Sequence, residues 1–260
     1  MSIFTSPIDI IIPVYNEGEN INRILYQFQV QVHSKFRILL CYDHEDDNTL
    51  QAYNQFDYNY DIVQLKNNGI GAHGAVITGM NYSNSDCVIV FPADDEINQN
   101  IIDDMYLQFK NGCDIVVASR FMKGGSMKGC PLLKSLLVRT ASKTLYLFSS
   151  IPVQDASNGF RLFSRRFLKS VEIESTAGFT YSIELLVKCK RLGRKIGEVP
   201  ARWEERSQGE SRFKVMQWAP NYIRWYFYGL ATSWLFKGPN KVKLMENNTE
   251  YSADESKGAY

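Results

Sequence analysis

The stretch Ile8-Asp-Ile-Ile-Ile-Pro-Val-Tyr-Asn-Glu17 decides the fold. A β-branched, almost uninterrupted apolar run predicts a strand buried on both faces, and its Tyr-Asn-Glu end predicts a turn into the helical period of residues 18–31. Working outward, the alternation repeats. Apolar runs at residues 36–42, 62–66, 86–91 and 114–119 are separated by helical periods at 49–56, 72–81 and 100–110. This βαβα rhythm predicts an α/β fold with a mostly parallel, doubly wound sheet. Ligands in such sheets lie beyond the carboxyl ends of the strands, which points to residues 13–17, 43–47, 67–73, 94–96 and 120–125. Further on, the pattern gives a helix over 132–149, a strand over 159–163, a helix over 179–192, a strand over 196–203 and an aromatic stretch over 213–236. From residue 240 the chain is polar and aperiodic, and is read as a flexible tail.

Composition narrows the function. The 260 residues carry 29 Lys and Arg against 28 Asp and Glu, a net +1 that excludes a generally polycationic nucleic-acid binder. The charge is nonetheless divided: residues 1–114 sum to −11 and residues 115–260 to +12. A front half that attracts cations and a back half that attracts anions follows. Five cysteines without a C-x-x-C pair argue for packed thiols in a reducing compartment. With no signal segment and no apolar run of bilayer length, a cytoplasmic protein is expected, at most peripheral on a membrane.

Four groups of residues carry candidate chemistry. Gly69-Ile-Gly-Ala-His-Gly74 matches G-x-G-x-x-G between a strand and a helix, but it follows the third strand and is succeeded by Asp94-Asp95-Glu96 rather than one ribose-binding acid. A dinucleotide fingerprint is therefore the weaker reading, against a phosphate- or sugar-facing loop or a plain strand-to-helix turn; His73 in this loop is a candidate hydrogen-bond donor. The acids of Ala93-Asp94-Asp95-Glu96 leave a buried strand at the ligand edge and suit Mg²⁺ or Mn²⁺ holding diphosphate oxygens. In an extended segment Asp94 and Glu96 share a face; a helix N-cap cluster is the alternative. Between residues 115 and 171 ten bases face the single acid Asp155, the pattern of an anion site or anionic surface. Three of four tryptophans, Trp218, Trp225 and Trp234, fall in residues 213–236 with further aromatics, as a membrane interface or a packed core face requires.

Seven motifs stand in the order found in family 2 glycosyltransferases: Ile12-Pro-Val-Tyr-Asn-Glu17, Asp43-His-Glu-Asp-Asp-Asn-Thr49, Gly69-Ile-Gly-Ala-His-Gly-Ala75, Ala93-Asp94, Ala118-Ser-Arg-Phe-Met-Lys-Gly-Gly125, Asn158-Gly-Phe160 and Gln208-Gly-Glu-Ser-Arg212. Over residues 7–236 the chain resembles the branch of dolichyl-phosphate mannose synthases and bacterial polyprenyl-phosphate sugar transferases. The resemblance implies a GT-A fold, a Rossmann-like nucleotide-diphospho-sugar transferase. It also implies transfer, with inversion, from a UDP- or GDP-sugar to a polyprenyl phosphate, assisted by Mg²⁺ or Mn²⁺. Pro13, Tyr15, Glu17, Asp43, Gly71, His73 and Asp94 would hold the donor. Asp94 and Glu96 would hold the metal; Arg120, Lys134, Arg206, Ser211 and Arg212 would meet acceptor or donor phosphate. Asp94 and Arg120 are the expected catalytic residues. Residues 1–212 would form the transferase domain, 213–239 an aromatic amphipathic segment touching a membrane surface, and 240–260 a tail; an oligomer is compatible.

The chain departs from that family at Pro92, where a first metal-motif acid usually stands, at Tyr42 beside Asp43, and at Thr180 after Gly-Phe. Two other functions stay open at this point. One is transfer to a saccharide hydroxyl, which requires a carboxylate base, with Asp95 and Glu184 the candidates; the other is a nucleotide-binding protein without catalysis.

Overall fold

The computed structural model describes residues 8–69, 71–204, 215–234 and 242–245, without the side chains of 133–134, 215–219 and 232–234. Nine strands and eight helices are assigned among them: β1 Ile8–Val14, α1 Asn20–Gln31, β2 Phe36–Tyr42, α2 Asn48–Tyr53, β3 Ile62–Lys66, α3 Gly71–Tyr82, β4 Cys87–Val90, α4 Ile102–Lys110, β5 Ile115–Ser119, β6 Ser126–Lys128, α5 Leu132–Phe148, β7 Arg161–Ser164, α6 Arg165–Leu168, α7 Thr180–Arg191, β8 Ile196–Pro200, β9 Arg202–Glu204 and α8 Val215–Trp234.

The main sheet runs β3-β2-β1-β4-β7-β5-β8. All neighbours are parallel except β7, which lies antiparallel between β4 and β5. The mostly parallel sheet expected from the alternation is thus present, with one reversed strand. The single strand expected over 196–203 is two: Ala201 breaks it, and β9 leaves the main sheet to pair with β6. No periodicity marks the three-residue β6.

The strand cores are buried on both faces because helices cover both. One layer packs α1, α2 and α4 through Ile21, Leu25, Phe28 and Met105; the other packs α3 and α7 through Val76, Met80, Leu185 and Leu186. At an upper-bound 25 cal/mol per Å² of apolar surface, each such side chain contributes about 1.5–3 kcal/mol.

The aromatic stretch forms α8, which crosses α7 and α5 where Gly229 meets Val187 and Leu145. Trp225 is buried, and Tyr222, Tyr226 and Tyr228 pack against the same core cluster. These rings therefore face the protein; the side chains of Trp218 and Trp234 lie outside the described residues. Part of the expected tail is docked: Val242 is buried, Leu244 bridges to Val171, and Glu172 donates its N–H to the Lys243 carbonyl. Cys41, Cys87, Cys113 and Cys189 are buried thiols, Cys130 is half-buried, and none is in a disulfide. Among the described residues no helix is long and apolar enough to cross a membrane.

Candidate functional site

The strand order reverses direction of growth between β1 and β4, and there the two strand ends lie side by side, with the Phe91 N–H donating to the Ile11 carbonyl at 2.9 Å. This is the switch point at which an open α/β sheet offers a crevice. The turn with Pro13, Tyr15 and Glu17 and the turn with the acids of residues 94–96 thus follow neighbouring strand ends. Tyr15 is exposed, while Pro13 and Glu17 are half-buried.

The turn after β1 is held by the loop after β2. Asn16 adopts φ 53° and Gly18 φ 55°. The carboxylate of Asp47 accepts the Asn16 N–H at 3.0 and 3.1 Å, Thr49 Oγ1 accepts that of Glu17 at 3.0 Å, and Asn48 Oδ1 accepts that of Gly18 at 2.8 Å. Asp47 also caps α2 through the Thr49 N–H at 2.9 Å. Most of the acidic turn at residues 43–49 is therefore scaffold, with Asp47, Asn48 and Thr49 spent on backbone. The sequence placed these three in a ligand-edge turn rather than in a scaffold, although the Asp-Asn-Thr run before a helix is an N-cap signal.

Asp43 reaches the next loop through Asn67, whose Nδ2 donates to Asp43 Oδ1 at 2.6 Å and to the Gly71 carbonyl at 3.1 Å. Asn67 Oδ1 in turn accepts the Gly69 N–H at 2.8 Å. The glycine motif has a steric purpose: a Cβ on Gly69 would stand 2.9 Å from Gly74 Cα, and one on Gly74 would stand 2.8 Å from Gly69. Gly71 adopts φ +62° in open space at the start of α3. His73 is turned toward α7, its ring centroid 6.0 Å from that of Tyr181, and burial lowers its pKa.

Residues 92–95 form a turn closed by the Asp95 N–H on the Pro92 carbonyl at 3.2 Å, so the extended alternation expected here is absent. Asp95 turns inward and accepts the N–H groups of Ile97 and Asn98, both at 3.0 Å, and Asn98 Nδ2 at 2.7 Å. Asn98 then clamps Arg202 of β9, donating to its carbonyl at 2.6 Å and accepting its N–H at 2.8 Å. Burial raises the Asp95 pKa against these hydrogen bonds. Asp94 and Glu96 are exposed. Among the described residues no three His, Cys, Asp or Glu side chains converge on a metal position. Two exposed carboxylates at this edge fit a hard divalent ion that takes its remaining oxygens from diphosphate and water.

Arg120, at the end of β5, is engaged. It donates from Nε and Nη2 to Asp155 at 2.7 and 3.0 Å, from its backbone N–H to the same carboxylate at 3.1 Å, and from Nη2 to Ser157 Oγ at 2.7 Å. Burial alone would lower the Arg120 pKa, but the Asp155 charge and hydrogen bonds raise it overall. The same pairing, opposed by burial, leaves Asp155 below the ordinary carboxylate range. Of the ten bases between residues 115 and 171, Arg161 is wholly buried on the carbonyls of Ala156, Asn158 and Ser182, and Arg166 pairs with Asp114 at 2.6 Å. The basic run is thus partly internal. Lys134 lies on α5, but its side chain, like all of Arg206, Ser211 and Arg212, lies outside the described residues. Glu184 is fully buried, accepts the N–H groups of Glu174 and Ser175, and pairs with Lys188 at 2.7 Å.

A parallel sheet with a reversed strand, an aromatic and acidic turn at the switch point and exposed acids opposite it define a GT-A fold. The chain belongs to glycosyl transferase family 2, whose profile matches residues 9–171. It is 28% identical over 211 residues to a dolichol-phosphate mannosyltransferase of Pyrococcus furiosus, covering 80% of this chain but 59% of that protein. It is 24% identical over 230 residues to a polyprenol monophosphomannose synthase of Mycolicibacterium smegmatis, covering 80% of this chain and 85% of that one. The fold is similar to glucosyl-3-phosphoglycerate synthase of Mycobacterium tuberculosis in complex with Mn²⁺, UDP and glucosyl-3-phosphoglycerate. That match has TM-score 0.65 and 15% identity, over 87% of this chain and 80% of that one.

Proposed function

We propose that this protein is an inverting glycosyltransferase that moves a sugar from a UDP- or GDP-sugar to a polyprenyl phosphate at the cytoplasmic face of a membrane. What supports the proposal is that the turn carrying Tyr15 and Glu17 and the turn carrying Asp94 and Glu96 follow neighbouring strands at one sheet switch point, while Asp95 is engaged in backbone hydrogen bonds. The names of the two curated relatives supply the acceptor class.

In the proposed reaction a phosphate oxygen of the acceptor attacks the anomeric carbon from the face opposite the leaving group. The carbon–oxygen bond to the donor's β-phosphate breaks, and the nucleoside diphosphate departs with the electron pair. Tyr15 packs on the base, Glu17 and Asp43 accept its and the ribose's hydrogen bonds, and the turn locked by Asp47 and Thr49 fixes their placement. Asp94 and Glu96 are the residues that would hold Mg²⁺ or Mn²⁺, and such an ion would supply positive charge for the leaving diphosphate. An acceptor phosphate is ionised at neutral pH, so no base need remove a proton, and positioning with charge neutralisation suffices. Arg120 carries a fixed positive group to the acceptor side. Because Asp155 already offsets most of its charge, Lys134, Arg206 and Arg212 complete the phosphate site.

The hydroxyl-acceptor alternative is disfavoured by the same geometry: Asp95 and Glu184, its two candidate bases, are engaged in backbone hydrogen bonds or an ion pair. Incubating a panel of nucleotide-sugars with a short polyprenyl phosphate, and reading products by mass spectrometry, tests the proposal. A glycosyl polyprenyl phosphate is expected; transfer to oligosaccharides but not to the lipid phosphate rejects it.

A further inference from the structure

Asn98 reaches across 104 residues of chain to Arg202, and its side chain is 3% exposed. An amide nitrogen has two hydrogens, and here both are used. One goes to Asp95 Oδ2 at 2.7 Å and the other to the Arg202 carbonyl at 2.6 Å. The amide oxygen accepts the Arg202 N–H at 2.8 Å. Alternate residues of a strand turn their backbone groups to opposite sides, and just before β9 the Ala201 carbonyl accepts the N–H of Ser126 in β6 at 3.0 Å. Arg202 therefore turns its N–H and C=O away from β6, and the Asn98 amide pairs with both as a neighbouring strand would.

This clip joins the two sides of the proposed site. On its near side is the turn with Asp94 and Glu96. Asp95 stands between them in the chain, holds the N–H and Nδ2 of Asn98, and accepts Nε2 of the buried Gln99 on its own carbonyl at 2.8 Å. On its far side is the small sheet of β6 and β9. β6 follows the segment of Arg120 in the chain and precedes α5 with Lys134, while β9 directly precedes the segment of Arg206, Ser211 and Arg212. Every residue assigned to the acceptor side thus lies in a segment next to one of these two strands, and Asn98 ties that sheet to the donor-side acids.

We propose that Asn98 is a positioning residue that couples donor binding to acceptor binding. Asp94 and Glu96, when a divalent ion and diphosphate engage both, fix Asp95 between them; Asp95 fixes the Asn98 amide, and the amide fixes β9. A segment already ordered by one ligand costs less to order for the next, so donor and acceptor each tighten the binding of the other. The coupling rests on the transferase reading for its two ligands, but it is measured without any transfer of sugar.

The experiment is amide hydrogen exchange on the full chain, alone and with UDP or GDP plus Mn²⁺, followed at residues 126–128 and 202–204 beside calorimetry of nucleotide binding. The nucleotide that binds is expected to slow exchange there about fivefold or more. Asn98→Leu keeps the approximate size of the side chain and removes its donors and acceptor; it should still bind the nucleotide, and the slowing should vanish. A short polyprenyl phosphate should tighten nucleotide binding about fivefold or more in wild type and leave it unchanged in the variant, a difference that loss of stability alone does not produce. Bound nucleotide without slowing in wild type, or the same slowing in Asn98→Leu, overturns the coupling alone. Wild type that binds neither nucleotide rejects the transferase reading and the coupling with it. If Asn98→Leu does not fold, Asp94→Ala carries the test: there Mn²⁺ should add no slowing to that of nucleotide alone, and a wild-type response overturns the proposal.

Discussion

Arg120 and Asp155 form a two-point ion pair, Nε to Oδ2 at 2.7 Å and Nη2 to Oδ1 at 3.0 Å, with the Asp155 side chain wholly out of solvent. Removing one partner of such a pair leaves a buried charge, which costs about 3–5 kcal/mol. Asp155→Asn is therefore expected to lose about that much stability at pH 7, read as a shift in urea midpoint. Burial raises the Asp155 pKa and Arg120 more than reverses this, so its folded value lies below its unfolded one. The stabilisation is then complete above the unfolded value of about 3.9 and fades as pH falls through the folded value. The gap between wild type and variant should narrow in acid; a gap that is constant with pH contradicts the pairing.

The exposed acids Asp94 and Glu96 predict a separation of activity from stability. Asp94→Ala is expected to abolish transfer while the protein still unfolds in one cooperative transition, read by urea unfolding beside the transfer assay. Glu96→Gln should raise the Mn²⁺ concentration for half-maximal rate by about tenfold or more. Chelator should silence the wild type and added Mn²⁺ restore it. Turnover by Asp94→Ala equal to wild type would remove Asp94 from the reaction.

Asp95 predicts the opposite behaviour from its neighbours. Because burial raises its pKa in the fold, the folded state favours the protonated form, and this group's contribution to stability declines as pH rises through the raised value. Asp95→Asn keeps an oxygen for the N–H groups of Ile97 and Asn98 and removes the charge. Because the new amide NH2 would face Asn98 Nδ2, it is expected to cost about 1 kcal/mol or more at pH 7, and Asp95→Ala, which orphans the N–H groups of Ile97 and Asn98 as well, more still, up to about 3 kcal/mol. Transfer by Asp95→Asn should persist. Its loss in a folded variant would restore Asp95 as a general base and with it a hydroxyl acceptor.

Five strands of the main sheet follow from apolar runs that needed no tertiary information: β1, β2, β4 and β5 are largely buried and advertise themselves, and the half-exposed edge strand β3 is marked by its β-branched start. β7 was visible as an element but not as a reversed one: direction depends on which strands flank it, and residues 159–163 say nothing of that. The switch-point residues were legible because an open sheet puts ligands at carboxyl ends, whatever the sequence between. The partners Asp47, Asn67 and Asn98 were not, since each bonds backbone 31 to 104 residues away or a loop four residues on. The charge split misled in one respect. Counting bases between residues 115 and 171 treated Arg161 as surface, yet a guanidinium with three carbonyl partners is core.

Gly69 and Gly74 turn that loop into a test of whether the glycine motif serves a ligand directly or through packing. A methyl group on Gly74 would stand 2.7 Å from Asn67 Oδ1 and 2.8 Å from the Gly69 backbone, so Asn67 would have to move and release Asp43. Gly74→Ala is expected to cost about 1–3 kcal/mol through overpacking. It should also weaken UDP or GDP binding, because Asp43 loses its orienting donor. Gly71→Ala meets no atom within 4 Å and bears only the strain of φ +62°, about 1–2 kcal/mol. It leaves Asn67 in place, so a smaller loss of nucleotide affinity is expected. Urea unfolding beside nucleotide calorimetry on both variants decides between the mechanisms. Equal stability losses with a larger affinity loss for Gly71→Ala would mean that the loop backbone itself touches the donor.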